Sequence, residues 1–528
     1  MISALSRATS RHRVTGTAGG LVDVATAVST SVAAALAAKH PGGPLPMGRP
    51  GEVLDAAMRA LGPAVLPELG IGTDQALSRI ASVLVEHGMD PASPMAAAHL
   101  QPPPLAVAVA ADTLASAANS SLDTYDSGPA GIAMERWVVH VLAGLAGLPA
   151  GADGVFTPGG SLSNLTALLL ARDSTAARLG IDVRSDGVGA LERPVVLCSE
   201  LAHFSVHRAC AALGLGEAAV RMVPVDGRRR MRVAAAEQLL AGGGTPIAIF
   251  ATAGTTDFGS VDPLPELADL AADTGTWLHV DAAYGFGALF CDQLAAKVSG
   301  IRHADSITVD LHKIGWQPAA ASALLVRDPT AFGALDRQVA YLNPADDVTA
   351  GYDGRLGMSL QTTRRADAVK VAATLLAHGR RGLGGMLQAC HDLAVYAQHR
   401  ITMDERLELV APAELTTVVF RYRTRDPALA NAVNAALRRR LMASGRALVG
   451  RTDVGVPAST CLKCTLLNPN ATTVDIDALV DAVLDAGSTS EEALTTGACI
   501  SAEATDNTAD ACISAEAADN RASAEAAS

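Results

Sequence analysis

A histidine, an aspartate and a lysine each stand at or just beyond the end of a short apolar run. The three are His203 after residues 194–198, Asp281 after residues 277–280, and Lys313 shortly after residues 306–309. Short apolar runs bounded by polar residues are typical of buried strands. In open α/β sheets, ligands bind at the carboxyl ends of the strands. We therefore expect these three side chains to meet at one edge of a sheet.

The three residue types suggest covalent chemistry on an aromatic, cationic ligand. A lysine between apolar strands is costly to bury as a free cation, but its amine has a use there as a nucleophile that links to a carbonyl group. A buried aspartate needs a cationic partner, which a pyridinium N–H would supply, and a histidine can stack on an aromatic ring. Each residue alone also has an ordinary interpretation. Lys313 can be a solvated side chain at a strand end, Asp281 a cap, and His203 a structural residue.

Two glycine-containing segments could bind an anion. The first, Phe156–Asn164, places Gly160 and Ser161 just before a predicted apolar helix. Glycine allows close backbone approach, and the first N–H groups of a helix favour a phosphate. The second segment, Ala253–Ser260, precedes the aspartate run. A plain turn and helix cap is the ordinary interpretation of such a string, so the residues alone leave both possibilities open.

The elements that must position these residues are predicted from periodicity. Between about Leu105 and Lys370, short apolar runs alternate with helical patterns, which predicts a mainly parallel sheet covered by helices on both faces. From about Val371 to Ala486, the order helix, strand, helix, strand, helix predicts a smaller α+β domain. Apolar residues at helical spacing predict that the first hundred residues or so are helical.

We therefore divide the chain into four parts. These are an N-terminal helical segment (1–104), a large domain (105–370), a small C-terminal domain (371–487) and a tail (488–528). In the tail, residues 498–504 recur as residues 511–517, and a degenerate third copy follows at 522–526. Short, acidic, Ala/Ser-rich copies cannot bury a core, so the tail is predicted to be disordered.

Composition argues against several classes of function. The net charge is −13 without a basic stripe, which argues against nucleic-acid binding. The uncharged run Val24–Ala38 is too short to span a membrane, and Asp23 interrupts the approach to it, which disfavours a signal peptide. Cys461 and Cys464 form a CxxC without further zinc ligands and are predicted to be strand residues. We expect a cytoplasmic protein with no metal, membrane or nucleic-acid partner.

Taken together, the segments resemble the fold-type-I enzymes that use pyridoxal 5′-phosphate (PLP), and specifically the group II amino-acid decarboxylases. A glycine-rich loop, a histidine, an aspartate and a lysine follow in that order. The strings His279–Tyr284 (HVDAAY) and Asp310–Lys313 (DLHK) are highly specific to that group, and the resemblance extends over about residues 99–487. It implies the α/β fold of the PLP-dependent transferases. That fold has a large domain with a mainly parallel seven-stranded sheet, a smaller C-terminal α+β domain and a helical N-terminal segment.

The resemblance also implies roles for individual residues. Lys313 forms the covalent link to the cofactor aldehyde, and Asp281 pairs with the pyridine nitrogen, which makes the ring an electron sink. His203 stacks on one face of the ring and Ala283 packs against the other. The further cofactor contacts that the resemblance implies are Gly160, Ser161 and Thr255 at the phosphate, and His312 beside the lysine.

A tyrosine on a mobile loop returns the proton to the substrate Cα in this family. The corresponding loop here is Tyr341–Gly357, in which Tyr352 is the candidate proton donor and Tyr341 the second choice. The loop often reaches across a dimer interface in the family. The resemblance therefore implies a homodimer with a shared active site.

The substrate is left open at this stage. Three segments look like the diaminobutyrate-decarboxylase branch: Ala98–Pro103, Asn119–Pro129 and Ser359–Arg365. That branch usually has Gln at Ser120, Trp at Tyr125 and Gln at Gly128. Asp310 replaces the Asn of the aromatic-amino-acid decarboxylases, but it agrees with the diaminobutyrate branch. The predicted reaction is thus decarboxylation of L-2,4-diaminobutyrate or a related amino acid, with an aromatic, acidic or aliphatic substrate such as valine as the alternative.

Other functions are less compatible with the sequence. A PLP aminotransferase or lyase is the first competitor, because Arg446 and Arg451 in the small domain could bind an α-carboxylate, but the string around Lys313 favours decarboxylation. A non-enzymatic scaffold would not need Lys313, Asp281 and His203 together. A dinucleotide-binding protein would need Gly-x-Gly-x-x-Gly after the first strand, and residues 157–163 do not supply it.

Overall fold

The computed structural model describes residues 43–337, 339 and 341–496, together with residues 26, 28–31 and 33–34 near the N-terminus. Between residues 43 and 104 the chain forms two helices, α1 (Pro50–Leu61) and α2 (Thr73–His87), and then a two-residue strand, β1 (Ala96–Ala97). Strand β1 pairs in parallel with Leu448–Val449, so it belongs to the sheet of the small domain. The prediction of a purely helical segment up to residue 104 missed this strand, because two alanines carry no strand pattern.

The large domain is built on a sheet of seven strands. In chain order they are β2 (Asp153–Thr157), β3 (Pro194–Ser199), β4 (Val220–Val223), β5 (Thr245–Thr252), β6 (Trp277–Asp281), β7 (Ser306–Asp310) and β8 (Ser322–Val326). Their order across the sheet is β2-β8-β7-β6-β5-β3-β4. All neighbouring pairs from β7 to β4 are parallel, and β8 runs antiparallel to both of its neighbours. The predicted mainly parallel, seven-stranded sheet is confirmed.

Helices cover both faces of this sheet. The helices of this domain are α3 (Ala106–Ala118), α4 (Pro129–Leu145), α5 (Gly160–Arg178), α6 (Val183–Asp186), α7 (Ser205–Ala212), α8 (Val233–Ala241), α9 (Leu264–Thr274) and α10 (Ala345–Thr349). Successive residues of a strand point to opposite faces. In β8, Leu324 packs with α5 residues such as Leu170, whereas Leu325 packs with α4 residues such as Leu142. Because both faces are buried, most residues of the central strands are apolar.

The small domain begins within a long helix. Its elements are α11 (Ala368–Thr402), β9 (Leu407–Ala411), β10 (Thr417–Tyr422), α12 (Ala430–Ala443), β11 (Leu448–Val454), β12 (Ser459–Thr465) and α13 (Thr473–Thr495). The strand order is β1-β11-β12-β10-β9. Strands therefore come in pairs where single strands were predicted. Cys461 and Cys464 are buried in β12, in agreement with the strand interpretation of the CxxC.

The last helix extends beyond the predicted end of the small domain. Residues 488–495, assigned to the disordered tail, continue α13. The buried Glu491 carboxylate explains the extension, because it accepts hydrogen bonds from the Arg425 backbone N–H (2.6 Å) and the Tyr422 hydroxyl (3.4 Å). The remainder of the predicted tail, residues 497–528, including the repeats, lies outside the described residues.

Two features are absent from the described part of the chain. No helix there is long and apolar enough to cross a membrane. Within the same residues, no group of three or more His, Cys, Asp and Glu side chains is arranged to hold a metal ion.

Candidate active site

A cavity of ≈ 250 Å³ opens at the carboxyl ends of the central strands. Thr252 ends β5, Asp281 ends β6 and Asp310 ends β7, and all three residues line the cavity. All eight residues predicted to contact the cofactor also line it: Gly160, Ser161, His203, Thr255, Asp281, Ala283, His312 and Lys313. The fold thus brings together segments that lie far apart in the sequence.

Lys313 faces a buried carboxylate. Its Nζ lies 2.9 Å from Oδ2 of Asp310, whose side chain is 4% exposed. The other carboxylate oxygen accepts a 2.6 Å hydrogen bond from the Ser322 hydroxyl. The Lys313 side chain itself is 22% exposed, so its amine is held at the cavity wall and remains reachable from the cavity.

Among the described residues, no cationic side chain lies within ion-pairing distance of Asp281, in contrast to Asp310. Its Oδ2 accepts a hydrogen bond from Nδ2 of Asn164 (2.8 Å), and its Oδ1 accepts one from the backbone N–H of Ala283 (3.1 Å). Each carboxylate oxygen has two lone pairs. The carboxylate can therefore accept another hydrogen bond from a cationic N–H inside the cavity.

The two histidines of the cavity are held in neutral form. Burial lowers the pKa of His203, while the charge of Asp281 acts in the opposite direction. Burial likewise lowers the pKa of His312, and Asp310, whose Oδ2 is 3.7 Å from its Nε2, opposes the shift. Nδ1 of His203 lies 2.9 Å from the Ser205 hydroxyl, which fixes the plane of the ring.

A further part of the cavity wall presents groups suited to an anion. Helix α5 begins at Gly160, so the N–H groups of Gly160 and Ser161 lie in its first turn, where the helix dipole favours negative charge. The Thr255 hydroxyl lies 2.7 Å from that of Ser260. Gly254 has a φ of +97°, and a Cβ there would lie 2.9 Å from the backbone N of Gly285, so only glycine fits that turn.

The donor set fits the shape and chemistry of PLP. An amine, a carboxylate with a free lone pair and an anion-binding helix terminus correspond to an aldehyde, a ring nitrogen and a phosphate. Lys313, Asp281 and the start of α5 could hold these three groups. The neutral ring of His203 and the small side chain of Ala283 leave room for an aromatic ring.

The two candidate tyrosines lie outside the cavity lining. Tyr352 is 56% exposed and makes an edge contact with the ring of Tyr125, with centroids 5.6 Å apart. Tyr341 is 83% exposed. The structure therefore brings Tyr352 next to one of the residues that departs from the expected branch pattern. It does not bring either tyrosine to Lys313.

Sequence reasoning missed two residues of the site. Asn164, which bonds Asp281, ends the glycine segment, yet its partner lies 117 residues away and no local pattern predicts the contact. Asp310 is part of the DLHK string, but its contact with Lys313 was not predicted. The sequence did contain a signal for this contact: a lysine stands three residues after an aspartate at the end of a predicted strand.

Comparisons with known proteins agree with this geometry. The family model described as "Pyridoxal-dependent decarboxylase conserved domain" matches residues 58–423. An L-2,4-diaminobutyrate decarboxylase of Rhizobium meliloti is 43% identical over 423 residues, which cover 79% of this chain and 83% of the relative. A second L-2,4-diaminobutyrate decarboxylase, from Acinetobacter baumannii, is 34% identical over 443 residues, or 81% and 86% of the two chains.

One solved structure of a similar protein has a similar fold. It is the glutamate decarboxylase domain of diaminobutyrate-pyruvate transaminase and L-2,4-diaminobutyrate decarboxylase from Vibrio parahaemolyticus. The TM-score is 0.79 and the sequence identity 30%, and the match covers 89% of this chain and 96% of the other.

Proposed function

The chain belongs to the family of pyridoxal-dependent decarboxylases, and on that premise we propose that its substrate is L-2,4-diaminobutyrate. Its reaction is the PLP-dependent decarboxylation of an amino acid. One observation carries the choice of substrate: the 43% identity to an enzyme named for that amino acid. The products are then CO₂ and 1,3-diaminopropane.

Cofactor binding is assigned to the residues that line the cavity. In this proposal Lys313 forms the covalent link, Asp281 pairs with the ring nitrogen, and His203 and Ala283 flank the ring. Gly160, Ser161 and Thr255 hold the phosphate, and His312 lies beside the lysine. The support is their common location in one cavity together with the donor types described above.

PLP, once bound, supplies an electron sink for the bond that breaks when CO₂ leaves. The protein's part is to hold the reacting groups and to exclude water. Asp310 keeps the amine of Lys313 at the cavity wall through a 2.9 Å contact. The Asp281 carboxylate would pair with the ring nitrogen, and backbone and Asn164 donors fix the orientation of that carboxylate.

The last step returns a proton to the substrate Cα, and we assign it to the Tyr352 hydroxyl, with Tyr341 as the alternative donor. The loop residues around Tyr352 are joined to the proposed substrate-side segment by two hydrogen bonds: Asn343 Nδ2 to Asp123 O and Arg355 N to Leu122 O. This attachment supports a role for the loop beside the substrate.

The substrate proposal is tested by measuring CO₂ and amine release from purified enzyme with added PLP. The panel contains L-2,4-diaminobutyrate, ornithine, glutamate, tyrosine and valine, without any keto acid. We expect the highest kcat/KM with diaminobutyrate. A tenfold higher kcat/KM with an acidic, aromatic or aliphatic substrate would overturn the proposal. Release of a keto acid in place of CO₂ would support the aminotransferase alternative.

The role of Lys313 is tested by Lys313→Ala, with Lys297→Ala as the matched control. Lys297 lies outside the cavity and pairs with Glu414 at 2.7 Å. We expect Lys313→Ala to lose the visible absorbance band of lysine-bound PLP and about a thousandfold or more in kcat. The control should keep both. An unchanged band in Lys313→Ala would show that another amine carries the cofactor.

We also propose that the protein is a homodimer. Helices α1 and α2 expose several large apolar side chains, among them Leu54, Met58, Ile80 and Leu84 at 64%, 62%, 47% and 68%. Helix α1 has no buried residue, so it buries little against its own chain. Exposed apolar surfaces of this kind mark protein interfaces, and a second copy of the chain is the occupant that the family expectation supplies.

A cytoplasmic location is the final part of the proposal. All six cysteines in the described part of the chain are free and buried. Unpaired thiols in this number are typical of proteins kept in a reducing compartment. Localisation of a tagged protein by fractionation tests this proposal, and recovery in an oxidising compartment would contradict it.

A further inference from the structure

Asn164 occupies a central position behind the candidate cofactor site. Its side chain is 1% exposed and also forms part of the cavity wall. Its Nδ2 donates to Asp281 Oδ2 (2.8 Å) and to the Ser205 hydroxyl (2.9 Å). Its Oδ1 accepts from the Thr308 hydroxyl (2.7 Å) and faces Nε2 of His279 at 3.0 Å. All four hydrogen-bonding positions of the amide are thus in use.

The orientation of this amide follows from Asp281. A carboxylate only accepts hydrogen bonds, so the atom of Asn164 that faces it must be the nitrogen. With the amide reversed, two oxygens without a hydrogen would lie 2.8 Å apart in a buried site, which is costly. The oxygen of Asn164 therefore faces His279, whose Nε2 must carry a hydrogen and donate it.

The hydrogen bond from His279 to Asn164 also determines the direction of the next one, between Ser306 and His279. The ring is fully buried, and burial lowers its pKa to about 3, so the ring is neutral. With its hydrogen on Nε2, Nδ1 is an acceptor, and it receives the hydroxyl hydrogen of Ser306 at 2.8 Å. The Ser306 oxygen accepts in turn from the Trp277 indole N–H at 2.8 Å.

The resulting chain runs in one direction, from Trp277 through Ser306, His279 and Asn164 to Asp281. An indole N–H can only donate and a carboxylate can only accept, so both ends fix the same direction. Hydrogen bonds in such a chain polarise one another. Every donor therefore points towards the negative charge of Asp281.

A short branch of the chain reaches the second cofactor contact. The Ser205 oxygen accepts from Asn164, and its hydroxyl hydrogen is then available for Nδ1 of His203 at 2.9 Å. The backbone N–H of Ser205 also points to this nitrogen, at 3.3 Å. Asn164 thus contacts, directly or through one hydroxyl, both of the residues assigned to the cofactor ring.

We propose that Asn164 is a positioning residue that orients the Asp281 carboxylate and the His203 ring for contact with PLP. It does so as the last donor in the one-directional hydrogen-bond chain. This inference rests on the roles proposed above for Asp281 and His203. The other titratable groups that line the cavity with Asp281 are His203, Tyr284, Asp310, His312 and Lys313, and all of them are left intact in the test below.

The principal variant is Asn164→Asp in the full-length protein. An aspartate has nearly the same shape, but its ionised carboxylate cannot donate to Asp281, and a second carboxylate beside Asp281 opposes the ionisation of both. We expect the apparent Kd for PLP, measured by titrating apoprotein, to rise about tenfold or more, since a hydrogen bond to a charged group is lost. We also expect the pH midpoint of the visible absorbance of bound PLP to shift.

A second pair of variants covers the case in which Asn164→Asp does not fold. Thr308→Val removes one donor to Asn164 and keeps the side-chain shape, whereas Thr308→Ser restores the donor. The expected rise in the Kd for PLP is about fivefold for Val, the equivalent of one neutral hydrogen bond, and less than about twofold for Ser. If Thr308 only filled space, the smaller serine would not restore the affinity for PLP.

The matched control is Asn434→Asp in the small domain. Asn434 is also fully buried and uses its amide on the backbone of Tyr422 and Ala430, away from the cavity. Its variant should have a lower Tm with unchanged PLP affinity and spectrum. Folded Asn164→Asp or Thr308→Val with the Kd and pH midpoint of the wild type would overturn the proposal.

The test is independent of the substrate assignment. PLP affinity and absorbance are measured without an amino acid. A wild-type protein that binds PLP but leaves diaminobutyrate intact would contradict the substrate proposal alone. A wild-type protein that binds no PLP would remove the basis of both.

Discussion

Two aspartates at the ends of adjacent strands have different surroundings in the cavity. Asp310 is nearly buried and contacts the amine of Lys313 and the hydroxyl of Ser322. Asp281 is bonded by an amide and a backbone N–H, and it keeps lone pairs free towards the cavity. The same residue type can therefore hold a lysine in one position and receive a ring cation in the other.

Substitution at Gly160 should weaken cofactor binding. A Cβ at this position would lie 3.0 and 3.1 Å from the two carboxylate oxygens of Asp310, which leaves no room without moving Asp310 away from Lys313. We expect Gly160→Ala to raise the Kd for PLP on the order of tenfold, as overpacking of a tight site does. Titration of apoprotein with PLP measures the change.

Gly189→Ala is the control for this prediction. A Cβ at Gly189 would meet nothing within 4 Å, and its backbone does not need a positive φ. This variant should bind PLP as the wild type does. Equal affinities in the two variants would show that the close approach of Gly160 to Asp310 is not required.

The buried His279 predicts how stability depends on pH. Its pKa falls from 6.5 to about 3 on folding because the ring is buried. Between these two values the unfolded chain binds one more proton than the folded protein. The contribution of His279 to the free energy of unfolding is therefore fully present above about pH 6.5. It decreases as the pH falls, by at most about 1.4 kcal/mol per pH unit.

Urea unfolding at several pH values tests this relation. His279→Gln should reduce the slope between pH 6 and 4 by about one proton, whereas His399→Gln, at an exposed helix position, should leave it unchanged. If His279→Gln retains the slope of the wild type, other groups account for the acid sensitivity.

At the scale of elements, a buried ion cluster joins helix α4 to the segment that carries Tyr352. Glu135 of α4 is fully buried and contacts Arg355 (Oε1 to Nε, 2.9 Å) and Arg364 (Oε2 to NH1, 2.7 Å). Arg355 also contacts Asp153 at the start of β2, at 3.0 Å. Two guanidinium groups and two carboxylates thus fix the loop where it meets the large domain.

Removing the shared carboxylate should be costly. Glu135→Gln leaves two buried guanidinium groups with one carboxylate, and we expect a loss of about 3–5 kcal/mol in the free energy of unfolding. The loop should also become a site of proteolytic cleavage, and kcat should fall because Tyr352 is three residues from Arg355. Urea unfolding, limited proteolysis and steady-state kinetics measure these effects.

The exposed pair Arg380–Asp292 provides the comparison, at a similar contact distance of 2.6 Å. Because both side chains are in solvent, Arg380→Ala should have little effect on stability. A Glu135→Gln protein as stable as Arg380→Ala would mean that the buried cluster relaxes or admits water.

A second connection joins the two domains at the cofactor loop. Nζ of Lys463, in β12, lies 2.8 Å from Oδ1 of Asp257, and the Thr452 hydroxyl donates to the other oxygen at 2.7 Å. Asp257 follows Thr255 and Thr256, which line the cavity. The position of the proposed phosphate-binding loop thus depends on a lysine of the small domain.

The sequence was most informative where one element carries both a pattern and a reactive residue. The runs before Asp281 and Lys313 are buried strands, and the residues after them line one cavity. It was least informative where a contact joins distant elements without a pattern. Asn164 and Glu135 are ordinary helix residues in the sequence, and only the packing of the chain gives them partners. Strand β1 was not predicted for the same reason, because the strand with which it pairs, β11, is distant in the sequence.

The exposed apolar side chains of α1 and α2 predict that two copies of the whole chain form a dimer. Leu54→Glu combined with Met58→Glu places two charges on a helix that has no buried residue in the single chain. We expect the protein to become monomeric while each chain stays folded, since charges oppose burial at an interface. Size-exclusion chromatography with light scattering measures the mass, and circular dichroism checks the fold.

The control for assembly is Val395→Glu, an exposed apolar residue of α11 on another surface. It should keep the mass of the wild type. A wild-type protein with the mass of one chain would contradict the dimer. A dimer that survives both charges would place the interface elsewhere.

The position of β1 has a consequence for how the chain is made. Residues 96–97 are synthesised well before their partner strand, which begins at Leu448, and Ala92 O nearby accepts from Asn468, 376 residues further on. At about 5–20 residues per second, the wait is on the order of tens of seconds. The large domain can complete its sheet in that time, whereas the sheet of the small domain cannot close until β11 has been made. Nascent chains of this protein should therefore remain clients of chaperones until the small domain emerges.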